Sequence, residues 1–451
     1  MIEMFNENVS KRSITLNLFK LSTVSYCVIA ASSLSAQTLE QSITLTLSAN
    51  PEIKSVFHEF ASAKKNRDAS EGAYLPSVDF DAAIGYEGIK PATKSIPDTD
   101  YTKKEATISL TQLLWDGAST QNNIDRSAAE AESIRLQLIS DIEDKSLEVA
   151  KVYIDVVKAK EILELSENNL EIHLKISKDI KRRVESGIGS TADLHQVNAR
   201  VAKAHSNLAS AQNNLYDTNI RFTKLVGEQP KNLVSPQADS SVVPIDLADA
   251  LELAFDNHPV IKASLVDVDA AFFQYEQSKS KNYPTFSIEA SQSWSDDADG
   301  NKGSRQETLA MLRVRYNLYN GGSDSDLSES AAYQLNKAKD LRDSAYRNVE
   351  ETLNLSWNAL DFTLKNKNFI DERVESVSAT VTAYQKQYKI GKRTLLDLLN
   401  TENELFEAKK NHLDLKYDEQ YAKYRILNSV GLLINSLSIE IPEEWNQTVE
   451  Y

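Results

Sequence analysis

The chain has 451 residues, with 50 lysines and arginines against 66 aspartates and glutamates, for a formal charge of −16. That balance argues against a nucleic-acid backbone as the partner, since such binders carry a basic patch. No run of 18 apolar residues exists to form a transmembrane helix, a test that does not address barrel strands, whose signal is weaker.

Lys11, Arg12 and Lys20 precede an apolar run from Leu21 to Ala31, followed by small residues up to Ala36. This is the layout of an export signal over residues 1–36. The single cysteine, Cys27, falls inside it, and Tyr26 before it is too large for a lipid-attachment site. The mature chain is therefore expected to carry no disulfide and no thiolate chemistry.

Thr38 to about Ala73 reads as helix, with Pro51 breaking it near its start and Pro76 ending it. Val78, Phe80, Ala82, Ile84 and Tyr86 then alternate with small or polar residues, which is the period of a strand. After a turn-rich segment, Ala106, Ile108 and Leu110 alternate again, and Gly117 closes a hairpin over about 76–115. No glycine or proline occurs from Ala118 to Ser186, so a very long helix is expected over 118–186. Ile142, Val149, Val156, Leu163 and Leu170 are spaced by sevens, as in a coiled coil. Gly187 ends that run, and a second helix is expected over 191–227.

A linker at 236–244 separates this unit from a second copy of it, so the two repeats span 37–235 and 245–437. Asn50-Pro51 returns as His258-Pro259, Leu114-Trp115-Asp116-Gly117 as Leu318-Tyr319-Asn320-Gly321, and Gly187 as Gly391. The copy contains a hairpin over about 284–319, a breaker-free helix over 323–390 and a helix over 394–431. Its heptad seam, Leu353, Leu360, Lys367, Val374, Val381 and Tyr388, is broken by a lysine. An acidic tail, 438–451, is expected to be peripheral.

Arg313 and Arg315 on one face of the last strand, with Leu312 and Val314 on the other, suit lipid on one side and water on the other. Tyr74, Trp115, Tyr283 and Tyr319 lie near strand ends, where interfacial aromatics collect. A soluble hairpin packed on a core would carry the same alternation. If the strands enter a membrane, four of them cannot close a barrel, and several chains must contribute to one.

The tandem repeat, one hairpin per copy and the helix-turn elements together resemble the TolC-like outer-membrane efflux and secretion family, over about Leu39 to Leu437. The most specific stretch runs Tyr388-Lys-Ile-Gly391-Lys392-Arg393-Thr394-Leu-Leu-Asp397-Leu-Leu-Asn400, with Ser186-Gly187-Ile-Gly-Ser190-Thr191-Ala-Asp193 as its counterpart. Its wording is similar to the branch that serves type I secretion. The resemblance implies a mainly helical fold with a β-barrel portion: a homotrimer with a 12-stranded barrel in outer-membrane lipid and a 12-helix tunnel in the periplasm. It implies two further partners, a periplasmic adaptor (membrane fusion protein) and an inner-membrane ABC transporter, and passage of cargo without chemistry or cofactor. It also places Asp193, Tyr388 and Arg393 at links that close the tunnel, and Asp397 in an acidic ring at the constriction. Asn400 departs from members that carry a second acid there. The turns with Gly187, Ser190, Thr191, Gly391, Lys392 and Thr394 would face the adaptor.

On the residues alone, Gly187 and Gly391 suit left-handed helix stops, and Thr191 and Thr394 suit N-caps. Asp193 and Asp397 could then merely complement a helix dipole, although Arg393 brings an opposite charge to the same turn. The six histidines form no metal-binding motif, and neither a phosphate loop nor a nucleophile elbow is present. Two other readings stay open: a drug or metal efflux duct of the same family, and a structural coiled-coil protein of the envelope.

Overall fold

The computed structural model describes residues 36–92, 98–239 and 241–451. The expected export signal therefore lies outside the described residues, as does the tip of the first hairpin at 93–97.

The first repeat comprises α1 (Leu39–Ala49), α2 (Pro51–Glu71), β1 (Ser77–Ile89), β2 (Thr99–Trp115), α3 (Ser119–Glu185) and α4 (Thr191–Val226). The second comprises α5 (Leu247–Asn257), α6 (Pro259–Lys279), β3 (Thr285–Asp296), β4 (Ser304–Arg315), α7 (Ser323–Lys389) and α8 (Leu395–Ser429). Two short helices follow, α9 (Leu433–Ser436) and α10 (Glu443–Asn446). The repeated Asn-Pro and His-Pro pairs explain the first break in each copy. Asn50 accepts the Glu52 N–H at 2.8 Å and His258 Nδ1 accepts the Val260 N–H at 3.3 Å, with proline in the first helical turn.

The long helices α3 and α7 contain 67 residues each, about 100 Å at helical rise. Along α3, the expected seam is buried at Ile142, Val149, Val156 and Leu170. Helices α2, α4, α6 and α8 all pack on α3, so the first repeat's long helix is the axis of the subunit. The lysine that breaks the α7 seam has a partner: Lys367 Nζ lies 2.6 Å from Glu419 on α8, and Lys423 reaches the same carboxylate at 2.9 Å. A polar pair at one seam position, here half-exposed Lys367 on buried Glu419, fixes the register of two helices.

The four strands form one antiparallel sheet in the order β1-β2-β3-β4. Pairing aligns Phe80 with Ile108, Val78 with Leu110, Leu110 with Ala290 and Ile288 with Leu312. The apolar positions of all four strands thus share one face, and they are exposed: Val78, Phe80, Ile84, Leu312 and Val314 show more than half of their surface. The opposite face is polar and carries the Glu289–Arg313 ion pair at 2.6 Å. Strand β2, with 17 residues, exceeds the roughly ten-residue length that its sequence alternation suggests. Trp115 packs edge-on against Tyr283 at 5.9 Å where the sheet meets the helices. Gly117 at that junction has φ +71°, and an added Cβ would lie 2.8 Å from the Ser280 carbonyl, so glycine is required.

The tail corrects its expected peripheral status. Trp445 stacks on Phe57 of α2 at 5.5 Å, the Val449 N–H donates to Glu132 of α3 at 2.9 Å, and the Tyr451 hydroxyl donates to Asp269 of α6 at 3.0 Å. Acidic composition gives no sign of Trp445 and Val449, which fill the groove. The linker and the residues before it are also pinned: the Ala238 N–H donates to Gln420 of α8 at 3.0 Å. The Tyr153 hydroxyl accepts the Val234 N–H at 3.0 Å and donates to the Gln37 carbonyl at 2.7 Å.

Past Gly431, the Glu143 carboxylate accepts the Leu433 and Ile434 N–H groups at 3.1 and 3.3 Å, tying the end of α8 to α3. Burial pushes this carboxyl up to about 8 against the pull of those donors. An acid raised in the fold stabilises fully below its unfolded pKa and loses that contribution as pH climbs through the raised value. The thermal midpoint should therefore fall between about pH 5 and about pH 8, and Glu143→Gln should flatten that part of the profile. A profile unchanged by the substitution would place the titration elsewhere.

Candidate functional site

Each long helix ends in a tight turn. Gly187 and Gly391 adopt φ +78° and +75°, the left-handed stop expected of them. Beyond Gly187, the Ile188 and Gly189 N–H groups both donate to the Arg183 carbonyl, at 2.9 and 3.0 Å. Beyond Tyr388, the Lys392 N–H donates to the Gln387 carbonyl at 2.9 Å.

The two turns differ in how the next helix starts. Thr394 caps α8 as expected, accepting the Asp397 N–H at 3.2 Å while the Asp397 carboxylate accepts the Thr394 N–H at 3.4 Å. In the first repeat the cap is Ser190, which accepts the Ala192 N–H at 3.1 Å, and Thr191 is already the first helical residue. The expectation for Thr191 was off by one hydroxyl residue. Lys392 is exposed at the second turn.

Arg393 makes its contacts on its own hairpin. Its Nε donates to Gln387 at 3.1 Å, its guanidinium sits 4.4 Å over the Tyr384 ring, and Nη1 is 4.0 Å from Asp397. Among the described residues its ion-pair partner is Asp397, not Asp193. Asp193 lies in the first turn of α4, half-buried. Tyr388 lies against the first hairpin, with the Arg183 guanidinium 5.3 Å over its ring. Burial raises the Tyr388 hydroxyl pKa, Arg183 opposes that, and the charges of Asp193 and Asp179 add to it.

The tips are joined by an apolar cluster of Ile180, Val197, Leu395 and Leu399, with Tyr388 packed on it. A cavity of about 270 Å³ opens beside it, floored by Ile176, Ile180 and Leu398 and flanked by Arg183 and Lys389. Above the tip, Asn400 accepts from Arg200 Nη2 at 2.7 Å and Asn403 accepts from Lys203 Nζ at 3.1 Å. The sequence reading missed Arg200 and Lys203. Their three-residue spacing, matched by that of Asn400 and Asn403, is the signal that was available. It also missed Ile188, Ile390 and Leu396, apolar residues left exposed at the tip. No group of three or more metal-ligating side chains occurs among the described residues.

A family model described as outer membrane efflux protein matches residues 42–228 and 250–432, one match per repeat. The outer membrane efflux protein BepC of Brucella suis biovar 1 (strain 1330) is 25% identical over 361 residues, covering 78% of this chain and 79% of that protein. The alkaline protease secretion protein AprF of Pseudomonas aeruginosa is 23% identical over 405 residues, covering 86% and 83%. Among solved structures, the Campylobacter jejuni CmeC outer membrane channel superposes with a TM-score of 0.78 at 13% identity, over 95% of this chain and 94% of that one. That likeness shows the fold.

The cap assignment is directly measurable. Ser190→Ala should cost about 1 kcal/mol of local stability, read as faster amide exchange in the first turn of α4, whereas Thr191→Ala should leave it unchanged. Equal effects of the two substitutions would contradict the observed cap.

Proposed function

The chain belongs to the outer membrane efflux protein family, and on that premise we propose that three copies form the outer-membrane duct of a tripartite exporter serving type I secretion of a protein. The protein resides in the outer membrane and extends into the periplasm.

The observation that carries the assembly is the sheet with two free edges and an exposed apolar face. Unpaired strand edges are not tolerated in lipid, so β4 of one copy must pair with β1 of the next. Two copies would give eight strands, an interior that side chains fill. Three copies give twelve and leave room for cargo. The helices agree with this ring. Leu341, Leu355, Phe362 and Phe369 form an exposed stripe on α7 at multiples of seven residues, a seam without a partner in its own chain. Tyr216 and Ile220 are exposed on α4, at the other flank.

The gate follows from the same ring. Within its own chain Arg393 has, as ion pair among the described residues, only the 4.0 Å contact to Asp397; in the ring it turns instead to the Asp193 of the neighbouring copy, while Tyr388 joins the two hairpins of one copy. An exposed ion pair contributes about 1 kcal/mol or less, but three act together. Asp397 recurs three times around the pore, and Asn400 leaves that acidic ring single. The adaptor contacts the turns containing Gly187, Ser190, Thr191, Gly391, Lys392 and Thr394, where Ile188 and Ile390 offer apolar surface. An ABC transporter drives the cargo from the inner membrane.

The type I reading is supported by the wording around Arg393–Asn400 and by the likeness to a protease secretion protein. The likeness to BepC favours a second reading, an efflux duct. Deleting the gene separates them. Loss of a large protein from the culture medium supports secretion, whereas a change confined to drug or metal tolerance overturns it.

The trimer and gate predict three measurements. Phe362→Asp should abolish the detergent-stable trimer seen for the wild type. Arg393→Ser should raise resting conductance in planar bilayers with the trimer intact; no change would move the latch elsewhere. Ser190→Cys and Lys392→Cys should crosslink to the adaptor, and crosslinking from Asp299→Cys instead would reverse the orientation.

A further inference from the structure

The two hydrogen bonds above the tip join α4 of the first hairpin to α8 of the second. Arg200 and Lys203 lie on one face of α4, and their acceptors Asn400 and Asn403 lie on one face of α8. Both acceptors are amide oxygens, which hold a cation without neutralising it. Neither cation has a carboxylate within ion-pair distance among the described residues. Close to them, on α3, is His173, with 3% of its surface exposed and its Nδ1 lacking any hydrogen-bond partner.

We propose that Arg200–Asn400 and Lys203–Asn403 form a clasp that holds the two hairpins together at rest, and that His173 is the proton acceptor that releases it. The inference rests on the reading of the chain as a gated duct. A proton taken from solvent onto Nδ1 creates a buried N–H without an acceptor and a third positive charge near two uncompensated ones. Separation of α4 from α3 and α8 relieves both. The charges around the site do not cancel this. Arg200 and Lys203 face it from α4, while Glu402 and Lys409 of α8 and Glu171 and Lys175 of α3 line the adjoining cavity. Glu402 is itself held by Gln385 of α7 at 2.8 Å.

The direction of the response follows. Burial first, then Arg200 and Lys203, hold the His173 pKa below its ordinary value in the clasped state. A group depressed in one state stabilises that state at higher pH, and the contribution is lost as pH falls. Separation returns the imidazole toward its ordinary value near 6.5, so acid favours the open hairpins.

Single-channel recording of purified trimers tests this, with pH stepped from about 7.5 to about 5.5 on the tip side. The wild type should show a rise in open probability of at least about threefold. His173→Gln should assemble as a trimer and lose most of that rise. Arg200→Gln should raise open probability at both pH values. Asn400→Asp places a carboxylate against Arg200 and should lower open probability and blunt the acid response. This surface substitution decides the matter if His173→Gln fails to assemble. An acid response undiminished in His173→Gln, or in Asn400→Asp where that variant decides, overturns the proposal. So does unchanged gating in Arg200→Gln with the trimer intact. Trimers that conduct without any acid response defeat this inference alone, whereas failure of the wild type to form a conducting trimer defeats the duct reading and the clasp with it.

Discussion

The outer edges of β1 and β4 each present a row of backbone N–H and C=O groups that the chain itself does not pair. In water such groups can bond to solvent, but in hydrocarbon each costs several kcal/mol. The sheet also turns Val78, Phe80, Ile84, Leu312 and Val314 outward together, a face that water would not tolerate at this size. One surface asks for lipid and both edges ask for strands. The proposed closed ring of identical copies would answer both demands.

Within the subunit, α3 carries the packing and α7 is left half-bare. The two repeats match in helix length to within one residue but not in role. Helix α3 is wrapped on several sides, whereas α7 keeps an apolar stripe for a neighbour. The two copies of one pattern thus differ most at their long helices: α3 is enclosed by its own subunit, and α7 keeps an exposed apolar stripe. The tips reflect it too. Arg393, just before α8, lies 4.0 Å from Asp397 in its first turn, while Asp193 on α4 is half-buried and its charge is felt at Tyr388 of the second hairpin.

Much of this architecture is legible in the residues. Breaker-free runs mark α3 and α7, alternation marks the strands, and Gly187 and Gly391 mark the turns, because each depends on local chemistry. Lys367 reads as a flaw in the heptad and proves to be a partnered position, since its mate Glu419 lies on the following helix at no fixed spacing. The helix cap went to Thr191 rather than Ser190 because both hydroxyls could serve and only the backbone geometry chooses. Arg200 and Lys203 were passed over for a different reason. Their acceptors lie in the other repeat, so the matched three-residue spacing of the two pairs shows which faces could meet but not that the two hairpins come together. The charge of the tail points to solvent, but its apolar Trp445 and Val449 are buried against the helices.

The packing of that tail has a bearing on biosynthesis. Its last residues contact helices made much earlier: Trp445 covers Phe57, Val449 engages Glu132, and Tyr451 reaches Asp269. A ribosome finishes these residues only after every long helix has been synthesised. Until then, Phe57 lacks its cover and the buried Glu132–Arg135 pair lacks one of its donors. The groove along α2 and α3 therefore stays uncovered until Trp445 and Val449 dock on it, late in the folding of the subunit.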